Sequence, residues 1–74
     1  MASIVLRVRL IAGDRVDVTY EEPETTDAND VLEHAITTLA QDTGTIRTQH
    51  GDRVVVLFGR GVAALEVGPR GAVL

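Results

Sequence analysis

The strongest constraint on this chain is a two-residue period near its start. Ile4, Leu6, Val8 and Leu10 fall on one side of an extended segment, and Val5, Arg7, Arg9 and Ile11 fall on the other. That is the side-chain period of a β-strand; on a helix the same residues would scatter around the axis. The pattern breaks at Ala12-Gly13-Asp14-Arg15, where Gly and Asp tolerate the backbone of a tight turn. It resumes with Val16, Val18 and Tyr20 set against Asp17 and Thr19. The segment is predicted to be a β-hairpin with one apolar face, and an isolated hairpin needs cover for that face to be stable.

The cover follows in the sequence. Pro23 lacks the donor a continuing strand would need. Thr26 or Asp27 can cap a helix, and Asp27 and Asp30 suit its positive end. Val31, Leu32, Ala35, Ile36, Leu39 and Ala40 form one apolar stripe at helical spacing. The spacing predicts a helix from about Ala28 to about Asp42, with Gly44 as a left-handed residue just beyond its C-terminus.

The β pattern then returns. Residues 45–49 read as a strand, His50-Gly51-Asp52 as a turn and Arg53 to Phe58 as a strand. Gly59-Arg60-Gly61 reads as a turn and Val62 to Val67 as a last strand, closed by Gly68-Pro69-Arg70-Gly71 before the short apolar tail Ala72-Val73-Leu74. The order ββαβββ, with no repeat or linker, predicts a single domain over residues 1–74. Its class is α+β: two layers, one helix packed on a four- to five-stranded mixed or antiparallel sheet. This element order resembles the β-grasp (ubiquitin-like) arrangement, which implies a first strand paired parallel with a strand after the helix. The sulfur carriers and protein modifiers of that fold end in a free Gly-Gly. This sequence ends Gly71-Ala72-Val73-Leu74, so the resemblance implies a fold and not conjugation chemistry.

Composition narrows the partners. A domain of 74 residues buries only ~60–65% of the surface its unfolded chain exposes, and with no Cys it has no disulfide or thiolate metal site to reinforce it. Association is an expected source of stability. A net charge of −4 opposes general binding to nucleic acid or anionic membranes. All seven cations are Arg, as coding in a GC-rich genome would produce. Arg7 and Arg9 interrupt the apolar start, so neither a signal peptide nor a membrane span is expected, and the expected location is cytoplasmic.

The segment Arg53 to Phe58, RVVVLF, is apolar on both sides. Reading Val54, Val56 and Phe58 toward the helix leaves Val55, Leu57 and Arg53 outside, beside Arg7, Arg9 and Arg47; a slip of one residue exchanges the two sets. An apolar patch interspersed with Arg has the composition of a protein interface. The expected interaction face is therefore Arg7, Arg9, Arg47, Arg53, Val55 and Leu57, and the expected partner is a protein, either a second copy in a homodimer or a larger one. The alternative is a small-ligand or nucleic-acid binder using the same arginines. Single-strand platforms also need stacking aromatics, and Tyr20 and Phe58, the only two, are assigned to the core.

No constellation carries catalysis. Ser3 is the only Ser and sits near the terminus. Asp30 and His34 are spaced as an orienting pair on the helix, but two His and scattered carboxylates lack ligand spacing. The Gly-Arg-Gly segments lie outside strand-to-helix junctions, so they are turns and not phosphate loops. Glu21 and Glu22 are adjacent and point to opposite faces. The expectation is a non-enzymatic protein with no cofactor and no metal.

Overall fold

A computed structural model of the chain describes residues 1–67. Strand β1 (Ala2–Leu10) and β2 (Arg15–Glu22) precede helix α1 (Ala28–Leu39); β3 (Thr45–His50), β4 (Arg53–Phe58) and β5 (Val62–Val67) follow, with a 3-10 turn at Gly59–Gly61. One helix lies on a five-stranded antiparallel sheet of order β4-β3-β2-β1-β5, the predicted two-layer α+β class. The turn expected at residues 68–71 and the tail at 72–74 lie outside the described residues.

The pairing departs from the β-grasp expectation. β1 lies between β2 and β5 and is antiparallel to both. The cause is where the chain arrives. The Gly61 carbonyl accepts from Ile11 N–H at 3.0 Å, which sets Val62 opposite Leu10 at the far end of β1. β5 has only the return direction open to it. A parallel strand would have needed a long crossover.

The same short link bends the sheet. β4 and β5 are the two edge strands, yet only Gly59–Gly61 joins them. Four Cα steps reach at most about 14 Å, whereas four strand spacings in a flat sheet cover about 19 Å. The sheet is therefore curled toward closure, with α1 on its inner side.

The inner side holds the core. Leu6 and Val8 of β1, Val18 of β2, and Val31 and Ala35 of α1 are fully buried, joined by Ile4, Tyr20, Leu39, Ile46 and Leu57. Asp27 caps the helix: its side chain accepts from Asn29 N–H at 2.9 Å. The helix ends at Leu39, a little earlier than its apolar pattern suggests, and Gly44 is not left-handed. A Cβ on Gly44 would overlap the Thr38 carbonyl, and one on Gly59 would overlap the carbonyls of Gln41 and Leu39. Gly59 N–H donates to the Gly44 carbonyl at 2.8 Å. These glycines allow β3 and β4 to close against the helix end, a role of close approach and not of capping.

Candidate interaction surface

Three of the six expected interface residues lie on the face turned away from the helix. Arg7 stands opposite Asp17 on β2 and opposite Glu66 on β5. Its Nε donates to Asp17 Oδ1 at 2.9 Å and its Nη2 to Asp17 Oδ2 at 3.2 Å, a bidentate pair. Hydrogen bonding from Arg7 holds the Asp17 carboxyl below the usual carboxylate value, and Asp17 in turn raises the Arg7 guanidinium. Arg9 Nε donates to Glu66 Oε2 at 3.4 Å. Arg47 lies opposite Val56 of β4.

The other three lie on the opposite side. Leu57 is buried at 4% exposure opposite Ile46, and Val55 is half-buried opposite Thr48. Arg53 shares their parity and stands opposite His50 at the hairpin end. The displacement comes from one turn. A three-residue turn at His50-Gly51-Asp52 would have sent Val54, Val56 and Phe58 inward. β3 instead runs through His50, leaving Gly51 and Asp52 as a two-residue loop, with Gly51 at φ 61° in its first position. That is the position a type II′ hairpin turn reserves for Gly. One residue fewer in the loop slips the register by one and exchanges the faces of β4.

The outward residues of β4 are therefore Val54, Val56 and Phe58, exposed at 56%, 43% and 47%. Around them stand Gln49, Arg47 and Thr45 on β3, opposite Val54, Val56 and Phe58 in turn. The Arg60 guanidinium sits 5.2 Å from the centre of the Phe58 ring, a cation–π contact. Phe58, assigned from sequence to the core, is thus the aromatic centre of an outer patch. The loop length was the available signal: with two loop residues, an inward Ile46 requires an inward Leu57.

β4 is also an edge strand. Gly59 N–H points to β3, and ladder groups alternate in direction. The N–H and C=O groups of Val54 and Val56 therefore point to the open edge, as does the N–H of Phe58, whose C=O opens the 3-10 turn. Among the described residues no strand flanks these three residues on that side, so apolar side chains and open backbone groups coincide there.

The surface has two further features. A cleft of about 520 Å³ opens between β2 and β3, where Thr19↔Gln49 is the sole ladder pair. At its rim Glu22 Oε1 accepts from His34 Nδ1 at 2.6 Å and from Tyr20 OH at 3.4 Å. His34 thus meets Glu22 across the layers, not Asp30 along the helix; Asp30 Oδ2 accepts from Thr25 Oγ1 at 3.5 Å. Burial, and then Glu22, pushes the Tyr20 phenol up. His50 Nδ1 donates to the Asp17 carbonyl at 2.6 Å, a further link between β3 and β2. The second feature is an apolar groove of about 520 Å³ between α1 and β5, where Ile36 is 43% exposed. Among the described residues no three His, Cys, Asp or Glu side chains cluster as a metal site, and no helix is long and apolar enough to cross a membrane.

A scan against known protein families, a search of curated proteins and a search of solved structures find no match to this chain.

Proposed function

We propose that this chain is a small non-enzymatic protein-interaction module whose contact surface is the outer side of β4: Val54, Val56 and Phe58, flanked by Arg47 and Arg60. The observation that carries this reading is the placement of three large apolar side chains, each about half exposed, on an edge strand. Native sheets blunt such edges with Lys, Pro, bulges or covering loops. β4 contains neither Lys nor Pro and pairs with β3 in unbroken register. An apolar, regular edge maintained in this way suits a partner surface. Phe58 and Arg60 belong to the residue types that anchor interfaces.

The competing reading, a binder of anions or nucleic acid through the sheet arginines, draws less support. Arg7 and Arg9 are engaged by Asp17 and Glu66, and Phe58 is a single outward aromatic.

The test is the triple variant Val54→Thr/Val56→Thr/Phe58→Thr, which keeps strand-forming side chains. It is expected to melt close to the parent and to bind much less of an apolar-surface dye. A variant that unfolds at much lower temperature would assign these side chains to the core and overturn the reading.

A further inference from the structure

The open edge of β4 is complementary to itself. A second copy adding to it in antiparallel fashion must place same-face residues opposite each other, so the two residue numbers sum to an even value. Only residues whose backbone groups point outward can form hydrogen bonds across the seam, which restricts them to Val54, Val56 and, through its N–H, Phe58. Centring the two-fold axis on Val56 overlaps all three. Val56 faces Val56, and each Val54 faces the partner's Phe58. On the inner side each Val55 faces the partner's Leu57. Every cross-strand pair among residues 54–58 is apolar, and the strand's one charged residue, Arg53, faces the partner's Gly59.

The flanks match in charge. Just beyond the strand ends lie two residues of opposite charge, Asp52 in the hairpin loop and Arg60 in the 3-10 turn, and the two-fold axis sets the Asp52 end of one strand beside the Arg60 end of its partner. Neither residue takes part in an ion pair among the described residues. The other edge differs: on the outer face β5 carries Ala64 and Glu66, opposite Arg9 and Arg7, and Glu66 is bonded to Arg9.

We infer that two copies of this chain join edge to edge through β4, antiparallel about Val56, making one continuous sheet with Asp52–Arg60 pairs at both ends of the seam. This rests on the reading of β4 as the contact surface and names its occupant.

The test combines light scattering with amide hydrogen exchange on the full chain over a wide range of concentration. The expected result is a mass that doubles with concentration while the Val54, Val56 and Phe58 amides become protected. A chain that stays monomeric throughout overturns the inference but leaves the contact surface open to a different protein. A dimer whose edge amides stay unprotected overturns it as well, because face-to-face stacking leaves the edge wet. Val56→Lys sets like charges against each other on the axis and is expected to give a folded monomer. Asp52→Arg, in an exposed turn, should weaken association by roughly threefold to tenfold, and adding Arg60→Asp should restore it. An Asp52→Arg dimer of unchanged strength, or a double variant no better than the single, would overturn the register.

Discussion

Asp17 and Arg7 face each other directly across β1 and β2, so their bidentate pair needs no side-chain reach to form. Its contribution depends on pH with a definite sign. The folded carboxyl titrates below the ordinary value, so the stabilisation is complete above about pH 4 and is lost as pH falls through the lower folded value. Asp17→Asn is expected to flatten the fall of the urea midpoint between about pH 5 and pH 2; a profile parallel to the parent's would assign that fall to other carboxylates. Tyr20 works in the other direction. Its folded phenol titrates above 10, so stability holds below that value and declines as the unfolded chain loses the proton first. Tyr20→Phe should remove that alkaline decline in a urea titration, leaving only the part due to other groups. Gly59 has a different constraint, since any side chain there meets the Gln41 and Leu39 carbonyls. Gly59→Ala should cost about 1–3 kcal/mol in a denaturant melt, the range of forced overpacking.

At the scale of elements, β4 offers the clearest comparison. Leu57 and Val54 are neighbours of similar chemistry on one strand, but one is buried and the other is more than half exposed. Leu57→Ala should cost about 2–5 kcal/mol, and Val54→Ala should stay within about 0.5 kcal/mol for the monomer. Reversed magnitudes in chemical denaturation would mean that the two-residue turn is wrong and the face assignment with it. The helix was easier to read than the strand. Its Asp27 cap and the positions of Val31, Ala35 and Leu39 are local features, and all lie where their spacing implies. Ile36 belongs to the same stripe yet stays half exposed, where it lines the apolar groove between α1 and β5.

For the whole molecule, the weak line runs between β2 and β3. β1–β2 pairs continuously from Ala2↔Glu22 to Arg9↔Arg15, and β3–β4 from Thr45↔Phe58 to His50↔Arg53, but one ladder pair joins the two units. In native-state hydrogen exchange the β3–β4 hairpin should therefore open at lower free energy than β1–β2–β5. His50→Ala, which removes the bond to the Asp17 carbonyl, should lower the hairpin's protection further. Equal opening energies in both units would show one cooperative sheet. The arrangement also separates the roles of the outer face. Its β1–β2–β5 part carries matched ion pairs, and its β4 end carries the apolar patch.

The sequence by itself determined the elements, their order and the two-layer class, because each rests on a local period, a cap or a turn residue. Ile4, Leu6, Val8, Val18 and Tyr20 were legible as core for the same reason: their strands have one polar side, so the pattern has a single phase. Only the tertiary structure decided which way β4 faces, the antiparallel return of β5 and the close approach served by Gly44. A strand that is apolar on both sides fits a covered sheet in either phase, and its choice rests on one residue of loop length. Strand direction across the sheet depends on where a short link delivers the chain, and a glycine's neighbours come from elements distant in sequence. Arg7, Arg9 and Arg47 of the expected face lie on the outer surface. Val55, Leu57 and Arg53 moved together because one register slip moves every side chain on the strand at once.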